Sequence, residues 1–218
     1  ELAQSLTGEL GAQTVKVHTG SGSNGKSVMC SLLSSVWGQY CGELGVAYLT
    51  QKDQQHNQAD PFILSIKGCR ICNVTEPPAD KQINSAVMKN LTGGDALSGR
   101  MLHSNTLVRF KPQLKLHIWC NIKPVIDGCD GGVARRAKVI EYVSKFVKSK
   151  EELKGEYRYL ADFTLEDKFK EDTFKLDMFH YLLENFDDFE NYKYTEPEKI
   201  KLDSSSYIEN YNDIFRFI

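Results

Sequence analysis

Nowhere among the 218 residues is there an apolar run long enough to cross a bilayer, which takes about 20 residues in a row. No segment repeats, and none is of low complexity. These absences exclude a membrane-spanning helix and a solenoid. The six cysteines (30, 41, 69, 72, 120 and 129) form no pairing framework, which excludes a disulfide-stapled secreted scaffold. Cys69 and Cys72 stand alone as C-x-x-C, and a zinc site of that spacing needs a second pair. Buried free thiols in a reducing compartment are the expectation. The chain opens at Glu1 without a methionine, and we expect a fragment of a longer polypeptide.

A strong net charge is lacking too, at −2, but the distribution is uneven. Residues 81–150 carry 13 Lys/Arg against 4 Asp/Glu, whereas residues 151–218 carry 9 against 18. A basic block in an otherwise acidic chain suits a polyanionic partner, or else a surface neutralised by the acidic tail.

What is present begins with "TGSGSNGKSVM", residues 19–29. Gly20, Gly25, Lys26 and Ser27 fit G-x-x-x-x-G-K-[ST]. Backbone N–H groups from Gly20 through Ser21, Gly22, Ser23, Asn24, Gly25, Lys26, Ser27 and Val28 would surround phosphate oxygens, and the glycines permit the dihedrals this needs. Lys26 would reach the outer phosphates, Ser27 would ligate Mg²⁺, and the following helix points its positive end at the anion. The flanks supply the required context. "TVKVH" (14–18) alternates as a strand, and 25–40 reads as a helix with Val28, Leu32, Leu33, Val36 and Trp37 on one face.

Further along, 45–50 suits a short strand and 59–68 a helix ending at Gly68. Residues 70–78 suit a buried strand stopped by two prolines, and 80–94 a capped helix closed by glycines. A hairpin is expected around His103–Asn105, then a strand over 114–124, and helices near 173–186 and 204–217. Alternating strands and helices indicate an α/β fold binding its ligand at strand ends.

Glu76 falls at the carboxyl end of the second strong strand, where a carboxylate can deprotonate water attacking a γ-phosphate and share in Mg²⁺ binding. Thr75 precedes it where many ATPases have Asp. Asn121 ends the next interior strand; its neutral amide can hydrogen-bond γ-phosphate and water, or simply form a turn before Lys-Pro. Arg135 and Arg136 follow a Gly/Asp-rich loop and can act as arginine fingers on a neighbouring subunit's nucleotide, or form a solvated face.

Taken in order, "GSGSNGKS", "RICNVTEP", "MKNLTGGDALSGRMLHSNTLVRFKPQLKLHIWCNIKP" and "GGVARRAKVIEY" resemble the superfamily 3 helicases, above all the poxvirus-type primase–helicases of large DNA viruses and phages. The second stretch resembles the family's Walker B strand. The third resembles its B′ motif, with Lys89, Thr92-Gly93-Gly94-Asp95, Arg100 and the hairpin, running into the sensor-1 asparagine, Asn121. The fourth resembles the arginine-finger stretch, in which Arg136 aligns better than Arg135. The likeness spans residues 14–146 well and the rest loosely.

The resemblance implies an AAA+-like P-loop NTPase with a central, mostly parallel sheet flanked by helices. It would comprise an N-terminal helical remnant (1–13), the core (14–147) and an acidic C-terminal helical segment (148–218). It further implies ATP or another NTP or dNTP with Mg²⁺, a homohexameric ring, single-stranded DNA in the channel, an upstream primase domain and no membrane. An intracellular site in host cytoplasm or nucleus goes with it. DNA contacts would come from Lys89, Arg100, His103, Arg109 and Lys111, although no lysine stands beside His103 as in better-known pore hairpins. A small P-loop kinase would need an arginine-rich lid where this tail is acidic; a nucleotide-dependent assembly scaffold would not need Glu76, Asn121 and Arg136 together.

Overall fold

The computed structural model describes residues 2–11, 13–50, 60–78, 80–191 and 195–211. Five parallel strands form the central sheet, in the order β2-β3-β7-β1-β9. These are β1 (Val15–Thr19), β2 (Cys41–Glu43), β3 (Ile71–Thr75), β7 (Lys115–Trp119) and β9 (Ala137–Glu141). Between them run α1 (Lys26–Trp37), α2 (Val46–Thr50), α3 (Pro61–Ser65), the short β4 (Gln82–Ile83), α4 (Ser85–Thr92), the hairpin of β5 (Leu97–Arg100) and β6 (Leu107–Phe110), β8 (Val125–Ile126) and α5 (Gly131–Arg136). After β9 come β10 (Lys145–Val147), β11 (Arg158–Leu160), α6 (Leu165–Lys168), α7 (Asp172–Asn191) and α8 (Glu198–Tyr211).

Alternation along each strand sends side chains to opposite faces. Val15, Val17, Cys72, Val74, Leu116, Ile118 and Val139 join the larger core with Leu49, Ile63, Met88, Leu91 and Tyr207. Ile71 and Trp119 join a smaller one with Leu33 and Trp37 of α1 and Leu182 of α7. That second face also carries polar rings: His18 Nε2 lies 2.9 Å from His117 Nδ1, and His18 stacks on Trp119 with centroids 3.8 Å apart.

Two local expectations are corrected. Residues 46–50 are helical, not a strand, because a short apolar run carries no period that separates the two; the helix buries the adjacent Tyr48 and Leu49. The helix expected from 80 starts at Ser85, because Asn84 caps it, its side chain accepting the N–H groups of Ala86 and Val87. Gln82 and Ile83 pair instead with Val125 and Ile126. The N-terminal helical remnant is a single 3-10 turn over Ala3–Leu6 among the described residues. The ends of two expected helices, at 59 and at 212–217, lie outside the described residues.

The acidic C-terminal segment packs onto the core. The Ser204 hydroxyl accepts the buried Val139 N–H of edge strand β9 at 2.9 Å, and the Tyr207 hydroxyl donates to the Pro124 carbonyl. A boundary at 147 would divide the β10–β11 pair, whose register includes Phe146↔Tyr159.

Candidate active site

The loop after β1 is built on positive φ angles at Gly20 (142°), Ser23 (62°) and Gly25 (88°). At Gly20 a Cβ would stand 2.6 Å from the Tyr142 carbonyl oxygen, so only glycine fits. Gly25 precedes α1 without a side chain to cap it, and the Lys26 N–H, the first of the helix, is accepted by Asn24 Oδ1 at 3.4 Å. Asn24 is buried and organises the interior: its Oδ1 accepts from Lys26 Nζ at 3.1 Å and its Nδ2 approaches the Tyr142 carbonyl at 3.4 Å. Lys26 Nζ also donates to the Gly20 carbonyl at 2.6 Å. Burial lowers the Lys26 pKa, and the Glu76 carboxylate opposes that shift. Ser27 is exposed on the first turn of α1.

Glu76 follows β3, and its backbone N–H bonds the Trp119 carbonyl at 2.8 Å. Its φ of 49° turns the chain sharply at the strand end. Asn121 lies two residues past the neighbouring β7, and its Nδ2 is 3.5 Å from Glu76 Oε1. Both are exposed, and the Asn121 carbonyl accepts from Thr19 Oγ1 at 3.2 Å. Three strand ends thus bring Lys26, Glu76 and Asn121 together. Among the described residues no three His, Cys, Asp or Glu side chains form a ready-made metal cage.

The two arginines are elsewhere. They end α5, not a loop, because Asp130 caps that helix by accepting the Val133 N–H at 2.9 Å. Since β9 runs parallel to β1 with Val15 beside Ala137, the arginines sit at the amino end of the sheet. The glycine loop is at the other end, roughly 13 Å of strand away at 3.3 Å per residue. Arg136 is buried at 7% exposure and donates to Gly132 O (2.9 Å), Thr92 Oγ1 (3.3 Å) and Gln13 Oε1 (3.1 Å). Its guanidinium is thus bonded within its own chain rather than reaching outward from a loop. Arg135 is exposed and meets Gln13 Oε1 at 2.9 Å.

Among the candidate DNA contacts, His103, Arg109 and Lys111 are exposed, with His103 at φ 59° in the hairpin loop, while Arg100 is half-buried. The apolar Met101, Leu102 and Leu107 are exposed beside them. Lys89 departs from expectation: it is ion-paired to Asp130 at 2.6 Å, tying α4 to the cap of α5. Sequence reading missed Gln13, Asp130 and Gly99. A Cβ on Gly99 would press on Ile63 and stand 2.9 Å from the Asp60 carbonyl, so glycine lets the hairpin lie on α3. The glycine in "LSGR" was the available signal.

Parallel sheet, glycine loop and paired strand-end Glu and Asn define the class, an α/β fold of the P-loop NTPase type. The fold is shared with the NrS-1 C-terminal region, at a TM-score of 0.53 and 15% identity over 93% of this chain and 43% of that one. In sequence the chain is similar to "Putative helicase L207/L206" of Acanthamoeba polyphaga mimivirus, 39% identical over 153 residues, 70% of this chain and 16% of that protein. It is similar also to "Putative helicase 022R" of frog virus 3, 28% identical over 203 residues, 91% of this chain and 21% of that protein. "Primase D5" of fowlpox virus is 29% identical over 139 residues, 62% of this chain and 17% of that protein. The likeness to helicases and primases of large DNA viruses read from the motifs is borne out by these relatives. The chain spans between 16% and 21% of their length. No protein-family model matches it.

Proposed function

We propose that this chain is the NTP-hydrolysing motor segment of a viral replicative helicase, working in a ring on single-stranded DNA. The observation that carries the reading is the convergence of Lys26, Glu76 and Asn121 at three adjacent strand ends beside the glycine loop. The loop suits a triphosphate: Lys26 can exchange its bonds to Gly20 and Asn24 for β- and γ-phosphate oxygens, and backbone N–H groups of Gly22–Ser27 supply further donors. Ser27 and Glu76 are the groups that would hold Mg²⁺, with phosphate oxygens and waters completing its shell. When bound, the ion would supply neutralisation of the phosphate charge.

Glu76 accepts a proton from the attacking water as its oxygen bonds to the γ-phosphorus and the bond to the β-phosphate oxygen breaks. The products are the nucleoside diphosphate and phosphate. Asn121 holds the water and γ-phosphate by hydrogen bonds without adding negative charge. Arg135, exposed at the opposite end of the sheet, suits a finger offered to a neighbouring copy's nucleotide, with Arg136 positioning it. The exposed Arg109, Lys111 and His103 on or beside the hairpin suit the backbone of single-stranded DNA. The ring, the DNA and an upstream primase domain come to the reading from the family resemblance.

The test is NTP turnover and strand displacement with and without single-stranded DNA. Glu76→Gln is expected to bind ATP and lose about 10²–10⁴ in turnover; Lys26→Ala is expected to lose both. Undiminished turnover in either variant would overturn the reading.

A further inference from the structure

Beyond β9 the chain returns to the glycine loop and places two aromatic rings at its rim. Phe146 of β10 donates its backbone N–H to the Ser23 carbonyl at 2.7 Å. Its Cε2 lies 3.1 Å from where a Cβ on Gly25 would stand. Tyr159 of β11, in register with Phe146, leans on that ring with centroids 5.9 Å apart. Neither ring belongs to either hydrophobic core, and they stay 39% and 50% exposed.

Half-open aromatic rings beside a polar loop leave apolar surface in water that a flat apolar ligand can cover. The occupant follows from continuity with the loop. A nucleotide whose phosphates lie along Gly20–Ser27 must leave its nucleoside at the rim, and every base has a π-face that stacks on an aromatic ring. The absence of a side chain at Gly25 lets the Phe146 ring come this close to the loop. Because stacking reads the face of a base and not its edge, the platform accepts adenine and guanine alike.

We propose that Phe146 and Tyr159 form the stacking platform for the base of the nucleotide held by the Gly20–Ser27 loop. The proposal rests on reading that loop as a phosphate cradle.

The experiment compares binding of Mg-ATP, Mg-GTP and Mg-tripolyphosphate, which has no base, to the chain and to Tyr159→Ala, Phe146→Ala and Phe146→Trp. Tyr159→Ala leaves the ring against Gly25 in place, so it reports on the platform even where Phe146→Ala perturbs the loop. Both alanine variants are expected to weaken ATP and GTP by about 5- to 150-fold, the span of measured base–aromatic stacking, with tripolyphosphate unchanged. Phe146→Trp is expected to retain affinity for both nucleotides. Equal losses for ATP and tripolyphosphate, or no loss of ATP in Tyr159→Ala, would overturn the platform while leaving the cradle standing. Failure of the unaltered chain to bind either ATP or tripolyphosphate would overturn the cradle itself.

Discussion

Gln13 Oε1 receives both Arg136 Nη2, at 3.1 Å, and Arg135 Nη2, at 2.9 Å, so one amide oxygen orients two guanidinium groups. The same side chain donates through Nε2 to the Gly93 carbonyl at 2.9 Å, tying the arginines to the end of α4. The pair is thus divided, with Arg136 facing inward and Arg135 outward.

That division separates stability from activity. Arg136→Ala strips Thr92, Gly132 and Gln13 of a shared donor and is expected to cost about 1–3 kcal/mol, read by thermal unfolding. Arg135→Ala is expected to melt like the unaltered chain and to lose hydrolysis only in the assembled state. Activity regained in rings mixed with Glu76→Gln subunits would place it in trans. A comparable fall in melting temperature for both variants would contradict the division.

The ion pair between Lys89 and Asp130 makes a similar distinction on the basic block. Arg109→Ala and Lys111→Ala are each expected to weaken single-stranded DNA binding and to flatten the slope of log K against log salt by about 0.7 per lost phosphate contact. Lys89→Ala is expected to leave that slope alone. Salt titrations of the three variants decide it.

Gly99→Ala tests whether the hairpin depends on its seat against α3. A methyl group there meets Ile63 and the Asp60 carbonyl, and overpacking of this kind costs about 1–3 kcal/mol. DNA affinity is expected to fall while nucleotide binding persists, measured side by side on one preparation.

The buried histidines set an acid limit. Burial first, and then the Lys16 charge, hold His18 down to about 3 and His117 well below its ordinary value. The unfolded chain takes up these protons near pH 6.5 and the folded chain does not, so stability is complete above that pH. It is lost as pH falls below 6.5, because only the unfolded chain then takes up protons on these rings. Melting temperatures at pH 7.5 and 5 should show the drop, and His117→Gln should shrink it. A flat profile would mean the rings are not held neutral.

Much of the glycine loop was legible because its dihedral requirements are met by residue types at fixed local spacing. Glycine at 20 and 25 and lysine at 26 are written there directly. Glu76 and Asn121 were readable as strand-end residues, since apolar runs stop visibly at Pro77 and Pro124. The short helix over Val46–Thr50 was not readable, because five residues are too few to display a period. Nor was the inward turn of Arg136, because its partners Thr92 and Gln13 lie 44 and 123 positions away.

The sequence alone determined the glycine loop, the strands that carry its acidic and amide neighbours, and the hairpin within a basic block. Each rests on local pattern and local backbone chemistry. Only the tertiary structure decided which of two adjacent arginines is presented outward, which lysine is consumed by an ion pair, and which rings stand at the rim of the loop. Those outcomes depend on contacts between segments far apart in the chain, where packing and burial, not residue type, choose the partner.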